Sequence, residues 1–145
     1  MPIKVLLVED SPGDVRLTQE ILRRTNNSIH LLVASDGVEA MALLRNEKGN
    51  LLAPRPDLIL LDLNLPKMDG REVLAQIKAD SNLKTIPTVI LTTSEVEEDI
   101  ARSYQLQANC YLSKPVQLEK FEGLVKSIND FWLTNVRLPQ QGAAV

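Results

Sequence analysis

Glu9 and Asp10 directly follow the apolar run Val5-Leu6-Leu7-Val8, and Asp62 directly follows Leu58-Ile59-Leu60-Leu61. Thr92 closes the run that opens at Thr88, and Lys114 stands two positions beyond Tyr111-Leu112. Each terminal residue suits the handling of a hard cation or a phosphate: carboxylates to ligate or attack, a hydroxyl to donate, an ammonium to neutralise. If the runs are strands of an open parallel sheet, their carboxyl ends share one edge, and residues scattered over a hundred positions can meet in one crevice.

Such a meeting has an electrostatic cost. Each pair of carboxylates at about 4 Å repels by on the order of 4 kcal/mol at an effective dielectric near 20. Magnesium offsets this, since it is hard, prefers oxygen, and binds through one or two carboxylates together with phosphate oxygens. Asp10 and Asp62 are the expected direct ligands, with the backbone carbonyl of Asn64 in reach and Glu9 binding either directly or through a coordinated water. A carboxylate so placed can accept a phosphoryl group, because the transfer rests mainly on positioning and charge neutralisation. Asp62 is the expected acceptor, with Lys114 and Thr92 taking the other phosphate oxygens.

The intervening sequence must position these groups. Runs of strand length alternate with stretches of helical period, without internal repeats. Val5 to Val8 and Leu58 to Leu61 are continuously apolar, as strands covered on both faces of a parallel sheet require. Ile29 to Ala34, broken by His30, reads as a more exposed strand, and Thr88 to Leu91 and Tyr111 to Leu112 supply the fourth and fifth. Helices are predicted over Pro12 to Arg24, Gly37 to Asn46, Gly70 to Ala79, Glu95 to Gln105, and Leu118 to about Thr134, with a longer loop from Asn46 to Pro56. Ser11 before Pro12 has the signature of a helix start, and Ser94 with Glu97 has capping-box spacing. Lys67 and Asp69 read as loop and cap residues, with Met68 and Gly70 shaping the turn.

The bulk properties agree with one α/β domain. The chain has 145 residues, formal charge -3 and a single cysteine, Cys110, so an internal disulfide is excluded. A pI near 5.2 argues against chain-wide attraction to nucleic acid or anionic membrane. No apolar stretch has the length of a membrane span, and no signal peptide precedes the first strand, so a cytoplasmic location is expected. His30 lacks a ligand companion and Cys110 lacks the grouping of a thiol enzyme; both read as structural.

Together the segments Val5-Leu6-Leu7-Val8-Glu9-Asp10, Asp62-Leu63-Asn64-Leu65-Pro66-Lys67-Met68-Asp69-Gly70, Leu91-Thr92-Thr93 and Tyr111-Leu112-Ser113-Lys114-Pro115 resemble the response-regulator receiver domain of two-component signalling. The resemblance covers residues 3 to 128. It implies a doubly wound, flavodoxin-like (βα)5 fold with five parallel strands in the order 2-1-3-4-5. It also implies Mg2+, transfer of phosphate from a sensor histidine kinase to Asp62, a switch read through Thr92 and Tyr111, and a cis peptide between Lys114 and Pro115. The Ser11-Pro12-Gly13-Asp14 start, the long loop before the third strand and the Asp130-Phe131-Trp132-Leu133 segment resemble more narrowly the single-domain regulators paired with cyanobacterial phytochrome kinases. Such a protein is a phosphoacceptor that acts through protein contacts and catalyses only its own phosphoryl transfer and dephosphorylation.

Residues 129 to 145 are expected to extend the last helix and end in a short tail, with about a dozen residues after Leu133 and no room for a DNA-binding domain. Apolar residues from Leu118 to Val136 recur at three and four residue intervals over about 28 Å of helix. An overhanging end that exposes Phe131 and Trp132, with Phe121 on the same helix, suits a homodimer interface. Two rival classes fit less well. A phosphatase using an aspartyl phosphate usually carries an acid two positions after the nucleophile, where this chain has Asn64. A flavodoxin-like cofactor carrier would need a glycine-rich phosphate loop in place of Glu-Asp-Ser-Pro-Gly. A receiver that serves as a constitutive scaffold is disfavoured by the intact residue set.

Overall fold

Continuous apolar strands can be buried on both faces only if helices cover both sides of the sheet. The computed structural model, which describes residues 3–25, 29–45 and 55–139, has that arrangement. Strands β1 (Ile3–Val8), β2 (Ile29–Ala34), β3 (Leu58–Leu61), β4 (Thr88–Thr92) and β5 (Cys110–Ser113) alternate with helices α1 (Pro12–Thr25), α2 (Gly37–Arg45), α3 (Gly70–Ala79), α4 (Glu97–Gln105) and α5 (Leu118–Asp130). All strand pairs are parallel, in the order β2-β1-β3-β4-β5.

Strand alternation divides the core in two. Leu6, Val8, Ile59, Leu61 and Ile90 face Ala40 and Met41 of α2 and Val73, Leu74 and Ile77 of α3. Val5, Leu7, Leu58, Leu60, Val89 and Leu91 face Ile21 and Leu22 of α1 and Phe121, Val125 and Ile128 of α5. The register pairs Val8 with Leu61 and Leu61 with Ile90, so β1 and β3 end at one level and β4 runs two residues further, to Thr92. Residues 9, 62 and 92 are thereby delivered to a common edge.

Two boundaries differ from expectation, and a third segment is not described. The loop over 46–54 lies outside the described residues. Helix α4 begins at Glu97 rather than Glu95, with Val96 at its cap position and no side-chain cap hydrogen bond. The predicted capping box does not form because Ser94 lies two residues ahead of the cap position; its oxygen accepts from Val96 N–H at 3.4 Å and its hydroxyl donates to Asp99 Oδ2 at 2.6 Å. The last helix keeps α geometry to Asp130 and then widens into a π-helical turn over Phe131–Asn135, in which Val136 N–H donates to the Phe131 carbonyl and the Thr134 hydroxyl to that of Asn129. The wider turn shifts the phase of the side chains. Leu133, 4% exposed, joins the core and Leu138 packs against it, while Phe131 is 57% exposed. Phe121 is 5% exposed and belongs to the domain's own core, which corrects its expected place on a dimer surface. Its apolar ring is satisfied by the sheet, because α5 needs that position to cover β1, β3 and β4.

Gly70, the first residue of α3, packs against the end of β3: an added Cβ would lie 2.2 Å from the Asp62 carbonyl oxygen and 2.5 Å from Leu63 Cα. Gly123 in α5 has no neighbour within 4 Å of such an atom. Gly70→Ala should therefore cost at least about 1–3 kcal/mol by overpacking, whereas Gly123→Ala should add up to about 1 kcal/mol through helix propensity. Urea unfolding of the two variants checks both signs.

Candidate functional site

Asp62 enters the site with its backbone fixed, its N–H donating to the Val8 carbonyl at 3.0 Å. Its carboxylate then meets three donors. The Thr92 hydroxyl donates to Oδ1 at 2.7 Å and the Asn64 backbone N–H to the same oxygen at 3.1 Å, while Lys114 Nζ reaches Oδ2 at 3.1 Å. The loop from Leu63 to Asp69 folds back to allow this: Gly70 N–H bonds the Leu63 carbonyl at 2.9 Å, and the Asp69 side chain caps α3 by accepting from Arg71 N–H at 2.8 Å.

Lys114 arrives from the far side of the sheet. Its backbone N–H donates to the Thr92 carbonyl at 2.6 Å, extending the β4–β5 ladder by one bond. From there the side chain, 4% exposed, crosses to Glu9 Oε2, Asp62 Oδ2 and Asp14 Oδ2, the last at 3.0 Å. Among the described residues every peptide bond is trans, including Lys114-Pro115, which corrects the cis bond expected there. The preference between isomers before proline is small, and Lys114 meets all three carboxylates from the trans arrangement.

Glu9 is buried beneath this ammonium, and its other oxygen accepts from Ser11 N–H at 3.1 Å. Burial raises its pKa to about 7, with the Asp62 charge acting in the same direction and the Lys114 hydrogen bond opposing them. Burial alone would depress Lys114, but Glu9, Asp62 and Asp14 more than offset that and hold its pKa above the ordinary lysine value. Asp10 is exposed on the outer side. Glu9, Asp10 and Asp62 each offer a carboxylate oxygen within 4.8 Å of the others. This all-oxygen, multiply charged set fits a small hard divalent cation.

Two groups in this region carried no sequence assignment. Asp14 joins the charge cluster from the first turn of α1, where an acid reads in the sequence as a complement to the helix dipole and gives no separate signal. The other is a clamp on the loop after β4. Arg71 Nε and Nη2 grip the two Asp99 oxygens at 2.8 and 2.6 Å, and Nη1 bonds Asp69. Asp99 accepts in turn from Ser94, whose carbonyl receives the Tyr111 hydroxyl at 2.9 Å. Arg71 first, then Ser94, hold the Asp99 pKa down at about 2. Burial raises the Tyr111 phenol. His30 is exposed on β2, and burial pushes the Cys110 thiol up, away from a reactive thiolate.

A buried aspartate after β3, an acidic pair after β1, and a hydroxyl and a lysine on the following strand ends define a receiver. The chain belongs to the response regulator receiver domain family, whose pattern matches residues 5–126. It is 51% identical over 138 residues to response regulator Rcp1 of Synechocystis sp., covering 95% of this chain and 94% of that protein. It is 40% identical to a probable methanogenesis regulatory protein, FilR2, of Methanothrix harundinacea, over 95% of this chain and 88% of that protein. Its fold superposes on the Mn2+-bound form of Rcp1 with a TM-score of 0.91 at 51% identity, covering 96% of this chain and all of that one. The phosphorylated cyanobacterial phytochrome response regulator RcpA gives a TM-score of 0.91 at 50% identity, covering 97% of this chain and all of that one. The fold is thus the flavodoxin-like receiver with strands in the order 2-1-3-4-5. Among the described residues no helix is long and apolar enough to cross a membrane.

The clamp makes a pH prediction. Asp99 has a lower pKa folded than the ordinary 3.9 or so of an unfolded aspartate. Its contribution is therefore complete above that value and is lost as pH falls toward 2. With allowance for solvent screening it is on the order of 1 kcal/mol. Asp99→Asn should be less stable than the parent at pH 6, and the gap between their urea midpoints should narrow below about pH 4. A gap independent of pH would remove the ion pair from the account.

Proposed function

We propose that the protein is a phosphorylation-dependent response regulator that accepts a phosphoryl group on Asp62 from a sensor histidine kinase and passes the signal on through protein contacts. The observation that carries this reading is the Asp62 carboxylate itself, held by Thr92, Asn64 and Lys114 beside the Glu9 and Asp10 carboxylates. The kinase class follows from the family, and similarity to the phytochrome response regulator RcpA makes a phytochrome kinase the favoured source.

Mg2+ would be held by Asp10, Asp62 and the backbone carbonyl of Asn64, with Glu9 bound directly or through water, and would supply neutralising charge to the incoming phosphoryl group. Asp62 supplies the nucleophilic oxygen. Thr92 and Asn64 keep its carboxylate from rotating, so attack starts from one orientation. Lys114 brings a compact positive charge that compensates a phosphoryl oxygen, and Thr92 can turn its hydroxyl from Asp62 to another such oxygen. Tyr111, tied to the same loop through Ser94, is the expected reporter of that turn.

Association of two copies through the end of α5 is the second part of the proposal. Phe131 is exposed and stacks edge-to-face on half-buried Trp132, with ring centroids 5.6 Å apart at 89°. The pair borders an apolar groove with Cys110, Leu112, Leu124 and Ile128 along β5, the edge strand of the sheet. Residues 3 to 128 form the receiver in this reading, and 129 to 145 add to the interface.

Two experiments test these statements. Acetyl phosphate with Mg2+, or a phosphorylated kinase, should label the parent chain; Asp62→Asn or removal of the metal with EDTA should abolish the label. Labelling that survives Asp62→Asn would falsify the assignment. In equilibrium ultracentrifugation the chain should show a monomer–dimer equilibrium, weakened at least tenfold by Phe131→Asp; a concentration-independent monomer would exclude the dimer.

A further inference from the structure

We propose that Asp14 is a positioning residue for phosphoryl transfer: it holds the third N–H of Lys114 in the unmodified protein and yields it to a phosphoryl oxygen. This rests on the reading of Asp62 as acceptor.

The argument is one of donor counting. A lysine ammonium has three N–H donors and no acceptor. Here all three have carboxylate partners, in Glu9, Asp62 and Asp14. Lys114 therefore has no donor to spare, and contact with a phosphoryl oxygen requires that one carboxylate let go. The three differ sharply in what release would cost. The Glu9 and Asp62 side chains are 4% and 8% exposed, whereas that of Asp14 is 38% exposed. A buried carboxylate stripped of its cation keeps an uncompensated charge, whereas one at the surface is taken over by water. Asp62 gives up its carboxylate charge only as the new bond forms, so it holds the ammonium until then. Asp14 is the partner that can leave.

Its position suits that task. Asp14 is in the first turn of α1, where its own backbone N–H bonds Ser11 Oγ at 3.3 Å, so the helix start fixes its place independently of Lys114. The transfer itself needs no atom from it. An Asp62 oxygen forms the new bond to phosphorus while the bond from phosphorus to the donor breaks, the electron pair leaving on the imidazole nitrogen of a kinase histidine or, with acetyl phosphate, on the acyl oxygen of the departing acetate. The ammonium moves its hydrogen bond from Asp14 to a phosphoryl oxygen as charge develops there. By stabilising the ammonium before transfer and competing with phosphate for it, Asp14 slows acceptance. Removing it should speed the reaction.

The test uses the full chain with acetyl phosphate and saturating Mg2+. Asp14→Asn and Asp14→Ala should raise the rate of Asp62 labelling about two- to fivefold, the scale of a partly exposed ion pair, while Asp14→Glu stays near the parent rate. In a Lys114→Ala background the Asp14 substitutions should change the rate less than twofold, because the effect acts through the ammonium. A rise of the same size in that background would assign the effect to simple repulsion between Asp14 and phosphate and overturn the proposal, as would an unchanged or slower rate in Asp14→Asn. If the parent chain takes no label at Asp62, the acceptor reading fails; the Lys114–Asp14 contact is then judged alone by NMR of the Lys114 ammonium without donor. Proton exchange there should quicken in Asp14→Asn, and equal exchange in parent and variant would end the proposal.

Discussion

A buried ammonium and a group of buried carboxylates, each unfavourable alone, are stable here because each supplies the other's missing partner. Lys114 and Glu9 are almost without contact with water. Without the lysine, Glu9 and Asp62 would repel at close range; without them the ammonium would carry an unmet desolvation cost. The compensation is incomplete, since Glu9, Asp10, Asp14 and Asp62 face one ammonium. The deficit of positive charge is the physical basis of affinity for a divalent cation.

That balance depends on sheet register. Lys114 reaches Glu9 across two intervening strand ends, those of β3 and β4, only because β4 and β5 pair so that Thr92 lies opposite Ser113, and the next N–H bonds the Thr92 carbonyl. A slip of one residue would turn the lysine to the opposite face. The apolar residues that fix the register, Leu61, Ile90 and Leu91 among them, are thus as much part of the site as the charged ones. Gly70 belongs with them, since its missing side chain lets α3 start against the Asp62 carbonyl.

How far the sequence discloses this follows from the same physics. Strands buried on both faces have to be continuously apolar, so β1 and β3 are visible as runs, and a polar residue directly after such a run stands out. Glu9, Asp62, Thr92 and Lys114 are legible for that reason. Asp14 is not, because an acid in the first turn of a helix also reads as a complement to the helix dipole. The Arg71–Asp99 clamp joins residues 28 apart on different helices, and no local pattern announces it. The capping-box signature at Ser94 fails beside it: α4 starts only at Glu97, and the Ser94 hydroxyl turns to Asp99, a contact set by the tertiary fold. Phe121 and Phe131 show the same limit. Both sit on an apolar period of three and four, yet Phe121 meets the sheet from within α5 whereas Phe131, where the helix widens into a π turn, meets solvent.

The clamp also determines where a change at Asp62 can be absorbed. Thr92 is buried at the end of β4, and its carbonyl is committed to Lys114. Five residues on, α4 begins, fixed at Asp99 by the guanidinium of Arg71, which is itself seated on the cap of α3. Between these two anchors lie residues 93 to 96, which are tied across the sheet through the Ser94 carbonyl and the Tyr111 hydroxyl. If the Thr92 hydroxyl turns from Asp62, neither anchor can follow without breaking a buried or charge-assisted hydrogen bond. The displacement is therefore confined to this short segment. Tyr111 must either move with it or lose its partner, which converts a rotation of one hydroxyl inside the site into a rearrangement of an aromatic side chain at the α4–β5 surface.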